Sequence, residues 1–80
     1  MNNQRREKLR NINRKLEEIN SELNAVKDDE EWAFESMPEN LQYSMRGEDS
    51  QECISIMEDA IDHIEQALEQ MGGLDIWMED

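Results

Sequence analysis

The sequence predicts an all-α fold, an antiparallel helical hairpin with a structured joint that dimerises into a four-helix bundle. Two runs of apolar residues carry the prediction. Leu9, Ile12, Leu16, Ile19, Leu23 and Val26 step 3, 4, 3, 4, 3, and Ile54, Met57, Ile61, Ile64, Leu68 and Met71 repeat the pattern. Both are a/d seams of a heptad, and their equal length suits two helices lying side by side. Composition agrees, because Glu, Asn, Gln, Ile, Leu and Met dominate beside three Gly and one Pro. Size supplies the dimer. A lone core in 80 residues yields only about 3–5 kcal/mol. One cysteine, Cys53, and one histidine, His63, offer neither a disulfide nor a metal staple. Association is the remaining source of stability.

The first helix is expected over about 3–35. Its seam weakens at Glu30, which takes an a position, and it stops before Pro38, which drives the preceding residue out of the helical region. Residues 36–48 form the joint. Within it Ser36 and Glu39 have capping-box spacing, so a short helix is expected from Pro38 to Tyr43. Gly47 then allows a turn with positive φ. Trp32, Phe34 and Tyr43 are expected to cluster there with Leu41 and Met45, closing one end of the hairpin.

Asp49 and Glu52 give a second capping box, opening a helix over about 49–71 that ends at Gly72-Gly73 in a left-handed cap. Cys53, Ala60 and Ala67 fall seven apart on the g edge of this helix. Its buried face is therefore wider than a two-stranded contact needs, which favours a bundle core. The expected interface comprises Leu9, Ile12, Leu16, Ile19, Leu23, Val26, Cys53, Ile54, Met57, Ala60, Ile61, Ile64, Ala67 and Leu68. In the tail, 72–80, Trp77 either folds back over the bundle end or anchors a partner pocket.

Charge divides the chain. Residues 1–27 carry a net +3, and residues 28–80 carry −16. The total of −13 exceeds the magnitude of about 2–8 that solubility alone asks for. An acidic region of this strength repels nucleic acid and anionic membrane and attracts proteins with basic working surfaces. Arg5, Arg6, Lys8, Arg10, Arg14 and Lys15 look like a nucleic-acid arm by charge, but the hairpin sets Arg6 and its neighbours beside Glu65 and Glu69. Pairing there leaves few cations for phosphates.

Catalytic chemistry finds no framework. A thin hairpin offers little pocket for a Cys or Ser nucleophile. Cys53 reads as a packing residue, and His63 as a surface partner of Asp59 four residues before it. Asp28-Asp29-Glu30-Glu31 spreads over all faces of a helix and does not converge on one cation. No catalytic residue, metal site or cofactor is expected. No apolar stretch reaches the roughly 20 residues of a membrane span, and no signal-peptide core follows Met1, so the expected location is cytoplasmic.

The stretch Asp28-Asp29-Glu30-Glu31-Trp32-Ala33-Phe34-Glu35-Ser36-Met37-Pro38-Glu39-Asn40-Leu41-Gln42, with Arg46-Gly47-Glu48 and Ala60-Ile61-Asp62-His63-Ile64-Glu65, resembles a group of small acidic helical proteins. These are carried by phages and other bacterial mobile elements and are mostly uncharacterised. The resemblance implies a mobile-element origin and a bacterial host, and it brings no catalytic residue with it.

The function expected is non-enzymatic. The chain binds and inhibits a host protein, possibly a defence factor, through a DNA-mimic-like surface. Its candidate contacts are Glu48, Asp49, Glu52, Glu58, Asp59, Asp62, Glu65 and Glu69, with Trp77. The alternatives are that the acids serve solvation alone, that the chain is an assembly adaptor pairing helices with a partner, or that it sequesters a small nucleotide. The last fits least, because the negative field disfavours an anionic ligand.

Overall fold

The computed structural model describes residues 2–74; Met1 and residues 75–80, with the expected contact Trp77, lie outside them. Within that range the fold is all-helical. Helix α1 spans Asn3–Glu35, α2 Glu39–Gln42 and α3 Met45–Gly72. The two long helices pack against each other as a hairpin, with α2 in the joint. The end of α1 meets the start of α3, where the Ser50 hydroxyl donates to Glu30 Oε1 at 2.6 Å.

α1 is 33 residues without Gly or Pro, rich in the helix formers Glu, Arg, Lys and Leu. Asn2 caps its start by accepting from the Arg5 amide at 2.9 Å. Its end is set by the joint. Ser36 is the C-cap of α1, with its amide donating to the Trp32 carbonyl, and not the cap of the next helix as its spacing predicts. Pro38 takes that place without any side-chain bond, because its fixed φ already suits a helix start. Gln42 ties the joint together by donating to the carbonyls of Phe34 and Met37, each at 3.2 Å.

α3 begins four residues earlier than the Asp49/Glu52 capping box predicts. Ser44 is its N-cap; its hydroxyl accepts from the Gly47 amide at 3.5 Å and donates to the Leu41 carbonyl. Asp49 and Glu52 are instead exposed helical residues. Gly47 has no positive φ. It is needed for space: a Cβ there would lie 2.6 Å from the Leu41 carbonyl oxygen and closer still to that of Gln42. Gly73 ends α3 in the right-handed region, at φ −65°, so the left-handed cap is not formed. The amide of Gly73 reaches the Gln70 carbonyl by tightening the last turn.

The seam of α3 is as the heptad predicts, and it extends back through Ser50 and Gly47. Ile61 is buried, and Ile54, Met57, Ile64, Leu68 and Met71 are half-buried. α1 meets this seam with a different stripe from the one its heptad predicts. Its a residues Leu9, Leu16 and Leu23 are half-buried, but so are Arg6, Asn13, Asn20, Lys27 and Phe34, one position along from d to e. The d residues Ile12, Ile19 and Val26 remain 47, 50 and 55% exposed.

Two further expectations fail. The aromatic cluster does not form, since Trp32, Tyr43 and Met45 are all more than 70% exposed and Phe34 alone of the described aromatics is half-buried. Cys53 is exposed too, because the g edge of α3 has no neighbour at that level within one hairpin.

The molecule is a rod of 58 × 15 × 13 Å. Its radius of gyration is 17.9 Å, where a compact chain of this length would have about 12 Å. Ile61 is the one apolar side chain classed as buried among the described residues.

Candidate acidic interface

All eight carboxylates singled out on α3 are exposed. Their placement follows from the seam. With Ile54, Met57, Ile61, Ile64 and Leu68 turned toward α1, the opposite side of the helix carries Glu48, Glu52, Asp59, Asp62 and Glu69. Glu58 and Glu65 lie on one flank and Asp49 on the other. Of the eight, Glu58 lies close enough to Lys27 for its charge to raise the lysine's pKa. From Glu48 to Glu69 the helix rises about 32 Å, so the charges average one per about 4.5 Å of axial rise, spread over the far side and both flanks. One strand of duplex DNA carries one per about 3.4 Å.

Some of the cations at the far end of the hairpin bond within their own helix. Arg6 is half-buried and donates to Asn3 Oδ1 at 3.0 Å, while Arg14 donates to Asn11 Oδ1 at 2.7 Å. The grooves along it are open depressions, one lined by Gln4, Glu7, Lys8 and Asn11, the other by Asn11, Arg14, Lys15 and Glu18. Neither brings chemically reactive groups together.

The contact between the helices holds polar groups that heptad reading did not single out. Lys27 pairs with Asp28 at 3.4 Å and Glu31 at 3.8 Å. Burial pulls its pKa down, but Glu31, the bond to Asp28 and the charge of Glu58 outweigh this, and the pKa stands above the ordinary 10.5. Ser50 is 4% exposed and its bond to Glu30 links the helices across the joint end. Stepping the α3 heptad backward from Ile54 would have found Ser50. Asn24 donates to the Asn20 carbonyl at 2.8 Å, whereas Asn13 Oδ1 is buried with no partner. His63 stands exposed on α3.

Among the described residues no three His, Cys, Asp or Glu side chains are grouped to hold a metal ion, and no helix is long and apolar enough to cross a membrane. Comparison of the chain with protein-family models, with characterised proteins and with solved structures finds no match.

Proposed function

We propose that this chain is a non-enzymatic accessory protein of a phage or other mobile element, which binds a host protein and inhibits it by covering a basic, nucleic-acid-binding surface. The observation that carries this reading is the eight exposed carboxylates spread along the far side and flanks of one 28-residue helix. A helix is a stiff support, so the charges are held in a row before the partner arrives, and complementary charge then speeds encounter and selects basic surfaces. The binding unit is a dimer of hairpins, a four-helix bundle that leaves the acidic side of each α3 outward. Its location is the cytoplasm of the bacterial host, where such a target would be met.

The test is capture of a host protein on immobilised chain from lysate, with elution by salt. Binding should weaken steeply between about 50 and 200 mM salt, as phosphate contacts do. The triple variant Asp59→Lys, Asp62→Lys, Glu65→Lys should lose the captured protein while keeping its helical circular dichroism. Retention of the same protein by that variant sinks the proposal. The second reading, an adaptor that pairs helices with a partner, is favoured by one observation: Trp32, Tyr43 and Met45 stand exposed around the joint. An adaptor of that kind keeps its partner through the reversals and loses it with Trp32→Ala and Tyr43→Ala.

A further inference from the structure

The two broad faces of the hairpin differ. Lys27 and the α3 residue whose charge acts on it, Glu58, mark one of them. In an antiparallel pair, columns displaced to the same side of each seam come together. The α1 residues on the other side of its seam, Ile12, Ile19 and Val26, therefore share a face with Cys53, Ala60 and Ala67. The first three are about half exposed, Cys53 is exposed, and the two alanines are half-buried. This face is apolar on both helices, and no acid occurs in either column.

The geometry points to a second copy of this chain as the occupant, packed face to face so that the two α1 helices run antiparallel about a twofold axis at Ile19. This rests on the dimer reading above and supplies its arrangement. Charge selects it. The column beside the exposed stripe reads Lys8, Lys15, Glu22, Asp29. About an axis at Ile19, Ile12 meets Val26 of the second copy, Lys8 meets Asp29, and Lys15 meets Glu22, each pair occurring twice. A parallel arrangement would set Lys8 on Lys8 and Glu22 on Glu22. Trp32 stands level with Arg5 of the second copy, within reach of a cation–π contact.

The same axis serves α3. The Glu30–Ser50 bond and the Lys27–Glu58 proximity place Ile19 level with residues 61–66. The axis then falls between Ala60 and Ala67, setting each against the other on the second copy. Two small residues at that level let the α3 helices approach, and their acids at Glu48, Glu52, Asp59, Asp62 and Glu69 stay outside.

Single cysteines in a Cys53→Ser background, treated with a short bismaleimide cross-linker, test the arrangement. Ile19→Cys alone should give covalent dimer. Ile12→Cys and Val26→Cys should give none separately and a covalent heterodimer when mixed. Cross-linking of Ile12→Cys with itself would show parallel helices and overturn the proposal. So would a monomer in sedimentation equilibrium at micromolar concentration, including one that associates only when a host protein is added. Lys15→Glu should raise the dimer dissociation constant about tenfold, and adding Glu22→Lys should restore it. Failure of that swap to restore the dimer also overturns it. The Asp59, Asp62 and Glu65 reversals should leave every one of these readouts unchanged. The dimer geometry and the host-binding function can therefore fail separately.

Discussion

Gly47 is buried because α3 starts directly against the joint, with the carbonyls of Leu41 and Gln42 packed where a side chain would be. Gly47→Ala should cost about 1–3 kcal/mol in urea unfolding, the range for forcing volume into a closed contact. Asn13 makes the opposite case. Its Oδ1 is buried without a partner, so Asn13→Leu should raise the melting temperature, by the desolvation it removes and the contact it adds to the seam. A fall in melting temperature would mean that Asn13 has a bonding partner in the dimer. Lys27 gives a pH dependence. Its pKa is raised in the folded state, so its stabilisation is full below 10.5 and fades as pH rises through the higher folded value. Above pH 10.5 the native chain should lose stability faster than Lys27→Met, as measured by urea unfolding across that range.

Helix ends and helix faces behaved differently as things to read from sequence. The long helices themselves were legible, because an unbroken 3-4 pattern and the absence of internal Pro act within a few residues of chain. The start of α3 was not. Asp49 and Glu52 have the spacing of a capping box, yet Ser44 holds the cap because its hydroxyl also reaches the Leu41 carbonyl, which links the cap to α2. Ser44→Ala should therefore cost about 1 kcal/mol in thermal unfolding, and Asp49→Ala should stay within about 0.5 kcal/mol of native. Equal effects would return the cap to Asp49. The acidic face was legible for the reason the helices were. Once the α3 seam is known, 3.6 residues per turn assigns Glu48, Glu52, Asp59, Asp62 and Glu69 to its far side.

At the scale of the whole molecule, the hairpin is a 58 Å rod with Ile61 as the one buried apolar side chain among its described residues, and the proposed dimer would bury more. Its melting temperature should rise with protein concentration over the micromolar range, as association with the folded form requires. A melting temperature independent of concentration would mean that the hairpin is stable alone. The basic first third and the acidic remainder also acquire a structural meaning in the proposed dimer. Lys8 and Lys15 face acids of a second α1, while most of the carboxylates of α3 stay outside the contact between the copies.

By itself the sequence determined that two long helices form, that α3 presents Ile54, Met57, Ile61, Ile64 and Leu68 to its neighbour, and that its acids lie outward. Each of these follows from local periodicity. Only the tertiary structure decided which side of α1 meets α3. Leu9, Leu16 and Leu23 belong equally to a seam with Ile12, Ile19 and Val26 and to one with Asn13, Asn20 and Lys27, and the two differ by a rotation of about 50°. Heptad counting favours the first because it counts hydrophobicity. The hairpin takes the second, which leaves the β-branched stripe of Ile12, Ile19 and Val26 about half exposed. A single chain carries no local signal for that choice, because it depends on how many helices share the core.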